Sequence, residues 1–440
     1  MKIIYWLRLG IYRCKWFLLS ILGIVSISLG MLFVYKHSSI WDALYSAVLI
    51  IPGCILIYIS IQFITSDLFY EFLKRSSKYH LGKDRSSNFL HEKKISVKGP
   101  RIVAIGGGTG LSTMLRGLKS YSSNITAVVT VADDGGGSGI LRQDLGMLPP
   151  GDIRNCILAL ADTEPIMEKL LQYRFQDGML KGQNFGNLFL AAMDGISSSF
   201  EEAVRRMSDV LAVTGKVLPV TLQDVKLGAE LEDGYIIHGE SNIGKHNDFH
   251  RGLIKRVFLE PKTIKPLKEA IDAILEADAI VLGPGSLYTS IIPNLLVDGI
   301  CDAIKRSNAV KIYVCNVMTQ PGETGGYTVS DHIKAIEGHS YKGIIGHCIA
   351  NTADIPCDLR KKYMEDGAST VRIDLDEINN MGIKIIGGDY VCINNNYIRH
   401  DTKRLAQTII DLVVERVFTK DKKRTIGYCY VKDKLKKLVG

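Results

Sequence analysis

Cysteine is sparse in this 440-residue chain, and no two cysteines form a CxxC pair. The nine thiols (Cys14, Cys54, Cys156, Cys301, Cys315, Cys348, Cys357, Cys392 and Cys429) are odd in number and scattered. That excludes a disulfide framework and a thiolate zinc site, and reads as reduced thiols in a cytosolic body. A surplus of charge is missing from most of the chain as well. Residues 1–100 hold 13 Lys+Arg against 5 Asp+Glu, whereas residues 101–440 hold 41 against 41. The formal net charge of +8 therefore sits in the N-terminal quarter, and only the tail beyond Val417 is basic in the remainder. A general nucleic-acid surface is excluded. Internal repeats and low-complexity segments are absent too. What is present is 46% hydrophobic and 23% charged residues, which excludes a disordered chain. The mean hydropathy of +0.11 suggests a soluble body with an apolar piece attached.

That piece lies at the front. Trp16–Tyr35 and Ala43–Ile64 are uncharged runs of 20 and 22 residues. As helices each would be about 30 Å long, the thickness of a bilayer's hydrocarbon core. The seven-residue connection predicts a transmembrane hairpin over residues 16–65. Lys2, Arg8, Arg13 and Lys15 precede it, and Lys74, Arg75, Lys78, Lys83 and Arg85 follow it. The positive-inside rule then puts both termini and the main domain in the cytoplasm of a multi-pass protein of the cell membrane. Residues 1–15 read as a basic cytoplasmic N-terminus, 66–98 as a juxtamembrane linker and 418–440 as a basic tail.

From Arg101 onward short apolar runs alternate with helical patterns, which predicts a parallel sheet covered by helices. Strands are expected at 101–105, 125–132, 279–282 and 310–317. Helices are expected at 111–121, 153–161 and 267–277, with a closing helix marked by Leu405, Ile409, Leu412 and Val413. The chemistry lies in the turns between them. Gly106-Gly107-Gly108-Thr109-Gly110 leaves the first strand and opens a helix, where backbone N–H groups and the helix dipole favour a phosphate. It is no P-loop, since no Gly-Lys-Ser/Thr follows, and no GxGxxG, since Leu111 replaces the third glycine. A tight turn without ligand is the competing reading.

Asp133 and Asp134 end the next strand. Two carboxylates there hold a divalent cation bridging a diphosphate, accept ribose hydroxyls, or cap a helix. Asp152 reads as an N-cap. Arg154, a cation in a first helical turn, reads as an anion contact or a salt-bridge partner of Asp133 or Asp134. Asn184 and Asn187 suit either ligand amide contacts or helix capping, in equal measure. Gly283-Pro284-Gly285-Ser286 is a second strand–glycine–helix junction, and two such junctions could flank a diphosphate. Ser286 is in no GxSxG elbow, which argues against a serine nucleophile. Asn316–Thr324 follows a further strand and is expected to line the same edge. His246 and His250, at helical spacing, read as surface histidines.

These turns, taken in order (GGGTG, ADDGG, PPGDIRN, GNL, GPGSLYTS–PNLLV and CNVMTQPGET), resemble the CofD/YvcK family, and the resemblance covers residues 99–417. It implies a Rossmann-like open α/β fold, a parallel sheet with helices on both faces. It implies one of two behaviours. YvcK-type members, which this chain resembles more, bind UDP-N-acetylglucosamine and influence cell shape, envelope synthesis and carbon metabolism. CofD-type members transfer a 2-phospholactyl group from a nucleoside diphosphate carrier with magnesium. On the first behaviour Tyr363 and Arg399 match the tyrosine and arginine that contact the UDP-sugar. On the second, Asp133 and Asp134 would hold Mg2+. The chain departs from the family at Gly137, where a hydroxyl is usual, and at Gln183-Asn184, where a His-Ser pair is usual. The expected ligand set is Gly106, Gly107, Gly108, Thr109, Gly110, Asp133, Asp134, Arg154, Asn184, Asn187, Gly283, Gly285, Ser286, Tyr363 and Arg399. Expected partners are UDP-N-acetylglucosamine and the membrane, not nucleic acid. Protein partners and a homo-oligomer stay open.

Overall fold

A computed structural model describes residues 20–32, 46–58, 60, 99–245, 252–394 and 396–418. The basic N-terminus, the ends of both apolar runs, the linker, His246, His250 and nearly all of the basic tail lie outside the described residues. The chain divides into two compact units, residues 1–93 and 94–440.

The first unit contributes two apolar helices, Ser20–Leu32 and Ser46–Tyr58. A Cβ on Gly23 would lie 2.9 Å from the Gly53 carbonyl oxygen, and one on Gly53 would lie 2.9 Å from that of Gly23. Ser26 Oγ donates to the Leu49 carbonyl at 2.7 Å. Small residues thus mediate the contact, while Leu22, Val25, Leu29, Leu32, Ile51 and Ile55 face outward. Among the described residues no single helix is long and apolar enough to cross a membrane.

The second unit is built on a seven-stranded sheet. Its strands are β1 (Ile102–Gly106), β2 (Ile125–Val129), β3 (Lys216–Pro219), β7 (Ala279–Leu282), β8 (Val310–Val314), β9 (His347–Asn351) and β10 (Lys384–Gly388). Between β3 and β7 the chain adds a small antiparallel sheet of β4 (Lys226–Leu231), β5 (Ile236–His238) and β6 (Ile254–Glu260). The large sheet runs β10-β9-β8-β7-β1-β2-β3, and all its pairings are parallel. Every residue of β1 and of β7 is buried, as strands with both faces covered must be. Helix Gly108–Leu118 turns Leu111, Met114, Leu115 and Leu118 inward and packs against helices Gly151–Leu160 and Thr402–Phe418.

The predicted strands and helices are present, with ends shifted by a few residues. Shifts reach three residues, in helix Gly108–Leu118 against 111–121 and at the ends of β2 and β8, expected at 132 and 317. The small sheet and the hairpin of β11 (Val391–Asn394) and β12 (Tyr397–His400) carry no comparable pattern of alternation.

The strand order fixes where a ligand can sit. From β1 the chain moves outward through β2 to β3, then returns to β7 on the other side of β1 and continues outward to β10. The direction reverses between β1 and β7. In open parallel sheets the crevice beyond the carboxyl ends at such a reversal is the binding position.

Candidate functional site: a cleft at the sheet reversal

A cleft of about 470 Å3 opens at this point. One wall is Gly107–Gly110 with Thr113, and the facing wall is Pro284, Gly285, Ser286 and Ser290. The floor and far side come from Asn316–Pro321, and the outer rim from Tyr363, Asp366, Arg399 and His400. Each wall follows from its sequence. Gly108 takes a positive φ of 66° as the chain turns from β1 into its helix. At Gly110 a Cβ would stand 2.5 Å from the Pro284 carbonyl oxygen, so only glycine lets the β1 and β7 turns approach this closely. Gly107, at the N-cap of helix Gly108–Leu118, has no side chain to cap it, and Asp152 takes the Gly108 N–H from beneath, so Thr109 and Gly110 of the first turn line the cleft. On the facing wall, Asn316 Nδ2 donates to the Gly285 carbonyl at 2.8 Å, which ties the β8 edge to the β7 turn.

The rim is built separately from the main core. Val317, Ile355 and Ile398 form a small apolar cluster, with Met318, Leu359, Tyr363 and Val391 packed on it. Tyr363 Oη accepts the backbone N–H of Ile398 at 3.0 Å and so fastens helix Cys357–Glu365 to the β11–β12 hairpin. Arg399, on that hairpin, lies with its guanidinium 5.7 Å from the Tyr397 ring centre. His400 has neither ring nitrogen hydrogen-bonded, and burial pushes its pKa down to about 4, so it is neutral at physiological pH.

A different group of expected residues lies on the other side of the glycine turn. Asp133, Asp134, Arg154, Asn184 and Asn187 do not line the cleft, and of the expected glycines Gly106 and Gly283 do not line it either. Both oxygens of Asp134 are committed to backbone: they accept the N–H groups of Glu240 at 3.0 Å and Ser241 at 2.9 Å. Asp133 accepts the Gly135 N–H at 2.9 Å, and burial raises its pKa. Asn184 caps helix Phe185–Gly195 by accepting the Asn187 N–H at 3.3 Å, and Asn184 Nδ2 donates to the Gln172 carbonyl. Of the two readings open for that residue, this is the capping one. Arg154 is buried and pairs with neither Asp133 nor Asp134; its Nη2 donates to Asn155 Oδ1 at 2.6 Å and its Nε lacks a partner. Burial, and then the charge of Arg174, lowers its pKa to about 10.

Two carboxylates that sequence reasoning left out of the site complete this side. Asp152 is not the N-cap expected of it, because its helix Gly151–Leu160 starts after Pro150; it lies under the glycine turn, where a Cβ on Gly107 would come within 2.5 Å of its Oδ2. It accepts the Gly108 N–H, and burial, reinforced by Asp133, pushes it up to about 6. Glu240 is pushed up to about 8 by burial and then by the charges of Asp133, Glu323, Asp134 and Asp152. Asp133 and Asp134 form no ready-made magnesium cage, since each oxygen of Asp134 already accepts one backbone N–H and a cation would have to use the remaining lone pairs. Among the described residues no group of three or more His, Cys, Asp or Glu side chains is placed to hold a metal ion.

The comparisons with known proteins agree with this architecture. The family described as 2-phospho-L-lactate transferase CofD matches residues 102–391. A Bacillus subtilis protein named gluconeogenesis factor is 51% identical over 317 residues, 72% of this chain and 99% of that protein. A relative in Clostridium acetobutylicum is 49% identical over 439 residues, 99% of this chain and 97% of its own, so the N-terminal segment has a counterpart there. A crystal structure of a Bacillus halodurans protein, described as a member of the UPF0052 family, superposes with a TM-score of 0.68 at 48% identity, covering 70% of this chain and 98% of that one. The chain belongs to the CofD family, among relatives named gluconeogenesis factors.

Proposed function

We propose that the chain is a membrane-tethered regulatory protein of the gluconeogenesis-factor type, whose cleft binds UDP-N-acetylglucosamine on the cytoplasmic side and which acts on cell shape, envelope synthesis and carbon metabolism. The observation that carries this reading is the convergence of a glycine-rich helix N-terminus, a second glycine turn, a tyrosine and an exposed arginine on one cleft at the sheet reversal. A diphosphate sits against Gly107–Gly110 and the Gly285–Ser286 turn, where N–H groups and the helix dipole stabilise negative charge. Arg399 supplies the compensating cation, and Tyr363 an aromatic surface for a base. About 470 Å3 lies within the usual range of roughly 300–1,000 Å3 for small-molecule sites.

Regulation rather than turnover is favoured by the polar groups of the cleft. The Ser286 hydroxyl donates to an amide, Gln320 Oε1, and not to a base. His400 has no acid or nucleophile partner. Calorimetry on the full chain in detergent tests the reading: UDP-N-acetylglucosamine should bind without magnesium, and Tyr363→Ala and Arg399→Ala should abolish or sharply weaken it. Absence of binding to the wild-type chain would overturn it.

A transferase of the CofD type is the second reading. What favours it is the family match, together with carboxyl groups of raised pKa (Asp133, Asp152, Glu240) beside the glycine turn, which are able to hold a proton near neutral pH. Magnesium-dependent binding of guanine nucleotide esters, lost in Asp133→Asn, would support it.

Membrane tethering is supported by the inverted packing of the two N-terminal helices, small residues in contact and large apolar ones outward, which suits lipid better than water. Protease added outside intact cells should leave the main domain uncut; cleavage there would reverse the orientation.

A further inference from the structure

Behind the Gly285–Ser286 wall, a chain of side-chain hydrogen bonds leads out of the cleft into the core. Ser286 Oγ donates to Gln320 Oε1 at 2.8 Å, and Gln320 Nε2 donates to Glu323 Oε1 at 2.6 Å. Ser286 and Gln320 both line the cleft, whereas Glu323 is only 3% exposed. The second oxygen of Glu323 accepts the Tyr288 N–H at 3.3 Å, and the carboxylate also accepts from the N–H and hydroxyl of Thr289. These donors belong to the single π-helical turn Leu287–Ile291, an element that recurs at functional sites. Among the described residues no cation pairs with Glu323. The titratable groups that face it are Tyr288 from the π-turn and Glu240 from the small sheet's helix, both of which sense its charge.

We propose that Glu323 and Gln320 are positioning residues that decide whether Ser286 offers the cleft a hydrogen-bond donor or only an acceptor. The inference rests on the ligand reading above and goes beyond it. An amide has one accepting and one donating end, so its orientation is set by its two neighbours. When Glu323 is ionised it only accepts, and Gln320 must turn its NH2 toward it. Gln320 then shows its oxygen to Ser286, whose single O–H is consumed, and Ser286 presents lone pairs to the cleft. This is the arrangement observed.

When Glu323 is protonated, Oε2 stays fixed by the Tyr288 N–H, so the proton goes to Oε1 and is donated to Gln320. The amide turns over, its NH2 donates to Ser286 Oγ, and the serine O–H is released toward the cleft. Only the second arrangement offers a phosphate oxygen a hydrogen bond from Ser286. Burial holds Glu323 up at about 7, so both arrangements are accessible near neutral pH. An anionic ligand favours the protonated form twice over, through the released donor and through removal of a buried negative charge.

The test is calorimetry of UDP-N-acetylglucosamine, whose diphosphate stays fully ionised throughout, on the full chain in detergent from about pH 6 to about pH 8.5. Wild-type affinity should fall as pH rises above 7, by at most about tenfold per pH unit, the limit for one proton taken up on binding. Glu323→Gln mimics the protonated carboxyl and should bind with the wild-type low-pH affinity at every pH. Gln320→Leu breaks the relay and should give a flat profile with weaker binding. A wild-type profile shared by both variants overturns the proposal.

A ligand-free readout separates it from the parent reading. The infrared band of a protonated carboxyl, taken as the difference between wild type and Glu323→Gln, should titrate near neutrality and shift in Gln320→Leu. No such band, or no shift, overturns the relay. A titrating, shifting band in a chain that fails to bind the sugar nucleotide leaves the relay standing and removes the ligand reading.

Discussion

The two sides of the glycine turn differ in what their polar groups are free to do. On the cleft side the N-cap Gly107 gives its helix no side chain, and Arg399 carries no carboxylate partner among the described ion pairs. On the carboxylate side Asp134 holds Glu240 and Ser241, Asp152 holds Gly108, and Asn184 caps its helix. The first side is built to be completed by something outside the chain. The second has mostly completed itself and stores its cost as raised carboxylate pKa values. Equally polar turns at one sheet edge can therefore differ in role, and the difference is read from where the hydrogen bonds end.

Substitutions can break or sharpen this contrast. The largest effect is expected at Gly110, where the two turns meet. Gly110→Ala forces the new Cβ against the Pro284 carbonyl and should cost about 3 kcal/mol of stability, seen as a lowered midpoint in urea, with binding lost as well. Next comes Arg399→Ala. Loss of a charge-assisted contact should weaken UDP-N-acetylglucosamine by roughly 10- to 100-fold with an unchanged unfolding midpoint. Asp134→Ala should do the reverse: about 2 kcal/mol less stable, for two orphaned backbone N–H groups, with nearly unchanged affinity once folded. If Asp134→Ala abolished binding in a fully folded protein, the contrast would fail.

The smallest effect concerns pH. Glu240 has a folded pKa raised from the ordinary carboxylate range to about 8. Its contribution to stability is therefore fully present below pH 4.5 and is lost as pH rises through 8. Glu240→Gln lacks that loss. The variant should unfold at higher urea than wild type near pH 8, by on the order of 1 kcal/mol after allowance for partial exposure, and the two should converge near pH 4.5. Parallel curves would show that neither burial nor the neighbouring carboxylates raise the Glu240 pKa in the fold.

What the sequence made legible follows from the range of each interaction. β1, β2, β7 and β8 and the two glycine junctions are local patterns, whereas β3, β9, β10 and the strand order that joins Gly106–Gly110 to Gly283–Ser286 are not read from alternation alone. The small sheet was not legible, since β4, β5 and β6 lack clean alternation: β6 buries Ile254, Val257 and Leu259 at uneven spacing. Tyr363 and Arg399 carry no local signal of binding and entered only through the family resemblance, which places them where the cleft rim is found. For the Asp133-Asp134 pair the ligand and capping readings stay open in the sequence, because nothing local shows that a segment more than 100 residues later brings two N–H groups to Asp134. Glu240 carries no local signal for the same reason, and Glu323 enters only as part of the Asn316–Thr324 segment, with no role of its own. Each takes its altered acidity from burial by elements remote in sequence.

The central claim is that the β1 and β7 turns together hold the paired phosphates of a sugar nucleotide. A crystal structure of the chain with UDP-N-acetylglucosamine tests it most directly. The account predicts the diphosphate between Gly107–Gly110 and Gly285–Ser286, with Arg399 on a phosphate and Tyr363 beside the base. A diphosphate found instead among Asp133, Arg154 and Asn187, with the cleft at the sheet reversal left unused, would contradict it.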